Sequence, residues 1–195
     1  MKKILLLLFV ALPILGIAQQ EHMTFKGVPI DGKLTDMVAK LEKVGFGNRS
    51  NFDNCHYVLS GTFTGENCDI LITGTPKTKT ACSVLVSYEE TYTSWSAVKN
   101  KYQELKKAFT IKYGEPTRSN DTFEYPYIEG DGGEMTAIAV NKCKYNCLFQ
   151  NEGKGNIFMH ITKANGGAQI IIMYSDEINS KLKEKEENDN ILNDI

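Results

Sequence analysis

The sequence is thin in the groups that do most protein chemistry. It has three histidines, His22, His56 and His160, too scattered for a histidine-rich metal site, and no catalytic or cofactor signature accompanies them. Cys55 and His56 are adjacent, but successive strand residues point to opposite faces, so a continuous strand would keep thiol and imidazole apart. Glu129, Asp131 and Glu134 cluster around three glycines without the ligand spacing of a calcium loop. Cys143 and Cys147 form a Cys-x3-Cys pair with no second pair, a weak zinc pattern. The expectation is no cofactor, no metal and no catalytic residues, hence not an enzyme. A basic excess is missing too. Without Lys2 and Lys3 the chain has 20 basic residues against 24 acidic, a net charge of −4. All of it sits in residues 176–195, which hold seven acids and three lysines. That gives no electrostatic pull toward nucleic acid or anionic lipid.

Long apolar runs are also absent after the first one. Met1-Lys2-Lys3, the apolar run Ile4 to Leu12, the breakers Pro13 and Gly16, and the small-x-small site Gly16-Ile17-Ala18 read as a signal peptide cut near Ala18. The run is too short, and too interrupted by Pro13, for the roughly 20 apolar residues of a membrane span. The first cysteine is Cys55, so no lipid anchor is expected and the mature protein should be periplasmic or secreted. Hydrophobic residues at 42% and charged residues at 24% are ordinary globular values. All five cysteines, Cys55, Cys68, Cys82, Cys143 and Cys147, lie in the exported part, where disulfides can form. Cys55, Cys68 and Cys82 share parity with the apolar side of their strands, which makes buried thiols as good a reading as bridges.

Two amphipathic helices are predicted. The first follows Asp31 as N-cap, carries Leu34, Val38, Leu41 and Val44, and stops at Gly45. The second starts near Ser94, places Trp95, Val98, Tyr102, Leu105, Phe109 and Tyr113 on one stripe, and stops at Gly114-Glu115-Pro116. After each helix the apolar period changes to two. Tyr57 to Phe63, Cys68 to Ile72 and Cys82 to Tyr88 form a meander after the first. Thr122 to Tyr127, Glu134 to Val140, Lys144 to Gln150, Asn156 to Thr162 and Ala168 to Tyr174 follow the second. The reading is α+β, an antiparallel sheet with both helices on one face and a helix-then-strands unit occurring twice. Residues 1–18 are the signal peptide, 19–175 one domain of two halves (about 19–92 and 93–175), and 176–195 a charged tail, weakly helical or frayed.

The start ending Ala18-Gln19-Gln20, the opening Phe25-Lys26-Gly27-Val28-Pro29-Ile30-Asp31-Gly32, the helix stop Lys112-Tyr113-Gly114-Glu115-Pro116 and the closing Tyr174-Ser175-Asp176-Glu177-Ile178-Asn179 resemble small secreted proteins of Bacteroides-type gut bacteria. The helix-then-antiparallel-strand units are similar, in architecture alone, to β-lactamase-inhibitor-protein-like folds and to small outer-membrane assembly lipoproteins. That resemblance implies protein binding without catalysis, although the absent lipid-site cysteine departs from the lipoproteins.

Two functions follow. The first is an exported, non-catalytic binding module whose sheet packs one face on the helices and offers the other to a protein or glycan partner. Its contacts are expected from aromatic residues in connections, Tyr92, Tyr125 and Tyr127. The alternative is a small cell-envelope hydrolase with a cysteine nucleophile, resting on the cysteines and His160.

Overall fold

Segments of period-two apolarity account for most of the strands. The computed structural model describes residues 21–193, so the signal peptide expected over residues 1–18 and its expected cleavage near Ala18 fall outside the described residues. In chain order the elements are β1 (Thr24–Phe25), β2 (Val28–Pro29), α1 (Leu34–Lys43), β3 (Gly47–Asp53), β4 (His56–Phe63), β5 (Glu66–Gly74) and β6 (Ala81–Tyr88). They continue with α2 (Trp95–Tyr113), β7 (Arg118–Asn120), α3 (Glu134–Ala139), β8 (Asn146–Asn151), β9 (Gly155–Ala164), β10 (Gly167–Asp176) and α4 (Glu177–Asn193). β1 and β2 form a small hairpin. The other eight strands make one antiparallel sheet in the order β3-β4-β5-β6-β10-β9-β8-β7. Each unit is thus a helix followed by a four-strand meander, and the two units join through their last strands, with Leu85 of β6 opposite Met173 of β10. The chain is α+β, built from a helix-then-strands unit used twice.

One face of the sheet carries the core. Ile70, Val86, Ile172, Met159 and Cys147 are register partners across five strands, and all are buried in a single cluster with Leu34, Met37, Val38 and Leu41 of α1 and Val98, Tyr102, Leu105 and Phe109 of α2. Both helices therefore cover the same face. Ser94 caps α2 by accepting from the Ala97 N–H, and Gly114, at φ +84, ends it in a conformation that favours glycine.

Local details differ from the sequence reading. Lys33, not Asp31, is the N-cap residue of α1, without a side-chain cap. Asp31 instead lies beside His22, 3.4 Å from Nε2, and Met37 replaces Val44 on the buried stripe. Glu134 to Val140, read as a strand, is the short helix α3, because Glu134, Ala137 and Ile138 are the buried positions, a three-and-four spacing that a six-residue run does not distinguish well from alternation. Thr122 to Tyr127 is likewise not a strand. Phe123 makes an isolated bridge to Cys143, and the edge strand is β7. β3 extends the sheet beyond the expected meander.

The C-terminal segment forms α4, and it docks through polar groups rather than an apolar stripe. Asn179 Nδ2 donates to the carbonyls of Ile30 and Ala81, each at 3.0 Å. Glu186, only 4% exposed, accepts from the Lys77 N–H at 2.6 Å, the Thr78 N–H at 3.1 Å and the Thr78 hydroxyl at 2.6 Å. Burial pushes this carboxyl up, but the bonds from Thr78 and Lys77 outweigh that and hold it below the usual carboxylate range. A depressed folded-state pKa stabilises the fold above the unfolded value, and the gain is lost as pH falls through the folded value. Glu186→Gln should therefore melt below the parent at neutral pH, with the gap closing in acid. Parallel thermal melts between about pH 7 and about pH 3 check this, and a gap that stays constant would show that the charge contributes nothing to docking. Removing residues 183–195 takes this anchor away with them.

Candidate functional site

The face opposite the core is not polar throughout. Val58, Leu71, Leu85, Met173, Phe158 and Leu148 are successive register partners, running from β4 through β5, β6, β10 and β9 to β8. Each is half-buried and none belongs to the core cluster. At a strand spacing of about 4.8 Å the row is about 24 Å long. Polar rows flank it: Ser60, Asp69, Ser87, Ile171, His160 and Asn146 on one side, Thr73, Ser83, Ser175, Asn156 and Gln150 on the other. Ile171 is the apolar exception. Ser60 donates to Asp69 at 2.6 Å and Ser87 to Gln169 at 3.1 Å, so part of the rim is already ordered. The row respects the internal repeat, with Val58, Leu71 and Leu85 from the first unit and Leu148, Phe158 and Met173 at the matching places of the second.

His160 stands beside this row. Its ring stacks on Phe158, with centroids 5.1 Å apart and planes at 27°. Nδ1 is buried and has no hydrogen-bond partner, and burial pushes the imidazole pKa down. The nearest-register cysteine, Cys147, opposite Met159, points into the core, so it and His160 lie on opposite faces of the sheet.

The three tyrosines singled out in the sequence do not share one environment. Tyr92 is 9% exposed and sits in the core cluster, because its backbone pairs with Ala168 and draws the ring inward. Burial pushes its phenol up to about 12. It is not an exposed contact residue, a correction to the sequence reading. Tyr127 is half-buried, with Gly133 close by. Tyr125 is 91% exposed, and Ile128, not noticed in the sequence, is 70% exposed. The loop carrying them is firmly based. Glu129 accepts from the Trp95 indole at 3.2 Å, from Lys99 and from Tyr145 at 2.7 Å. Asp131 accepts from the Ile128 and Gly133 amides.

At one end of the sheet a cavity of about 530 Å³ is lined by His22, Asp31, Tyr113 and Lys154 among others. Behind it Asp176, fully buried, accepts from the Met23 N–H at 2.8 Å and the Asn179 N–H at 2.9 Å and lies 3.1 Å from His22 Nδ1. Among the described residues its wall offers carboxylates, an imidazole and an ammonium but no serine or cysteine, and no trio of His, Cys, Asp or Glu is arranged to hold a metal ion. No helix of the described residues is long and apolar enough to cross a membrane.

Comparison with protein families, with curated proteins and with solved structures returned no match.

Proposed function

We propose that this is an exported binding module that meets a protein partner through the open face of its sheet. The observation that carries the reading is the six-residue apolar row, which is continuous across six strands and repeated in both units. A solvated sheet face ordinarily alternates to polar residues, and contiguous apolar surface with a polar rim is the pattern of interaction sites. The row is about 24 Å long, a scale suited to an interface burying about 800 Å² per partner. Its one aromatic member is Phe158, so it favours the aliphatic and aromatic side chains of a protein over the flat stacking that a glycan would need. The exposed Tyr125 and Ile128 supply the other candidate contact.

The two surfaces separate by experiment. The double variant Leu85→Lys with Met173→Glu places opposite charges across one register pair, which keeps the sheet paired. It should fold normally by circular dichroism yet bind a partner purified from envelope extract about 30-fold more weakly, as for loss of a central anchor worth about 2 kcal/mol. Tyr125→Ala with Ile128→Ala should bind as the parent does. The reverse pattern transfers the contact to the loop and overturns the sheet reading. A dimer in sedimentation that the first variant dissolves would make the occupant a second copy, which overturns it as well.

A further inference from the structure

Cys55 and Lys79 bring a thiol and an amine together at a place the binding reading does not use. Cys55 lies in the β3–β4 turn. Its N–H donates to Asp53 Oδ1 at 2.6 Å and its carbonyl accepts from the Gly74 N–H at 2.7 Å, so the turn is fixed from both sides. Lys79 lies in the β5–β6 loop. Its Nζ donates to Cys55 Sγ at 3.1 Å and to the Pro76 carbonyl at 2.6 Å. Lys79 is no free-swinging surface lysine. Its backbone holds a left-handed φ of +57, its carbonyl accepts from the Leu34 N–H at 2.8 Å, and its loop is pinned by Glu186. A cavity of about 240 Å³, lined by Lys33, Leu34, Thr35, Asn54, Tyr57 and Lys79, lies beside Lys79 and the residue preceding Cys55.

The other thiols are poorer targets. Cys68, Cys82 and Cys147 are buried, and Cys143 is half-buried. Burial pushes all four upward, Cys68 to about 11, which suppresses the reactive thiolate. Cys55 is half-buried, and it is the cysteine whose sulfur has a lysine amine against it.

We propose that Cys55 and Lys79 are a peroxide-triggered crosslinking site that closes to a sulfenamide. The Cys55 thiolate attacks one oxygen of hydrogen peroxide. An S–O bond forms, the O–O bond breaks, sulfur is oxidised by two electrons to the sulfenic acid, and hydroxide leaves. The Lys79 ammonium gives that hydroxide a proton, making water and a neutral amine. The amine lone pair then attacks Sγ. An S–N bond forms, the S–O bond breaks, and the hydroxyl departs as a second water with a proton from nitrogen. The product ties the β3–β4 turn to the β5–β6 loop, and thiols reverse it.

The test is mass spectrometry of the reduced protein after brief treatment with hydrogen peroxide. The expected product has lost two hydrogens, gives a peptide joining Cys55 to Lys79, and returns to the starting mass with dithiothreitol. Lys79→Arg keeps the positive charge but not the condensing amine, and should leave a Cys55 sulfenic acid that dimedone traps. Cys55→Ser should give no crosslink. A joined peptide linking two cysteines, or Cys55 trapped by dimedone in the parent as fully as in Lys79→Arg, overturns the proposal.

Discussion

Asp176→Ala should destabilise the protein by about 2–5 kcal/mol, although Asp176 touches neither the open sheet face nor the Cys55 pair. Three roles meet at this fully buried residue, the first carried by its backbone and the other two by its carboxylate. It ends β10, where it pairs with Gly155 of β9. It caps α4, accepting the Asn179 N–H, and loss of an N-cap costs about 0.5–2 kcal/mol. It also accepts the Met23 N–H, and a buried donor left without a partner costs about 1–3 kcal/mol. No nearby group replaces these bonds when the side chain shrinks to a methyl. Chemical denaturation of parent and variant measures the loss. Equal midpoints would show that water satisfies the freed amides and that the junction of the 21–30 segment with α4 contributes little.

Much of the architecture was legible in the sequence, and the reasons are local. The helix α2 announces itself through Ser94, a stripe from Val98 to Phe109 and Gly114. The hairpins are marked by turn residues such as Thr64-Gly65, and the spacing of the two helices shows the repeat. The open face was half legible. Ile170-Ile171-Ile172-Met173 is apolar at both parities, as are Leu71, Leu85, Leu148 and Phe158 against their buried neighbours, so apolar residues on the second face were visible strand by strand. What joins them into a row is register across six strands, which turn geometry sets and no single strand reveals. Tyr92 shows the opposite failure. An aromatic residue in a connection looked exposed, but a long-range backbone pair with Ala168 buries it. The docking of α4 was illegible for a third reason. Its anchors are Asn179 and Glu186, and a polar side chain gives no sign in the sequence that distant amides will receive it.

Gly155→Ala should be costlier than its size suggests, about 2–6 kcal/mol, whereas Gly153→Ala, two residues earlier in the turn that leads into β9, should cost about 1 kcal/mol. Both glycines hold positive φ, +147 at Gly155 and +75 at Gly153. At Gly153 an added Cβ meets nothing within 4 Å, so only the left-handed backbone penalty of about 1–2 kcal/mol applies, and at its lower end in an exposed turn. At Gly155 the φ belongs to a region essentially reserved for glycine, worth about 1–3 kcal/mol of strain. The new Cβ would also overlap the Ser175 carbonyl oxygen and crowd the Asp176 Cα. That obstacle is backbone, which cannot rotate away, and overpacking of this kind adds about 1–3 kcal/mol. Relief requires β9 to move off β10 at the pair Gly155 and Asp176, which displaces the carboxylate whose bonds to the Met23 and Asn179 amides Asp176→Ala removes. The double variant should therefore cost less than the sum of the two single ones, because each removes what the other depends on. Urea denaturation of the two glycine variants and the double variant checks both statements. Equal losses for Gly155→Ala and Gly153→Ala would show that β9 and β10 separate there without cost, and strict additivity with Asp176→Ala would show that the pair is not one unit.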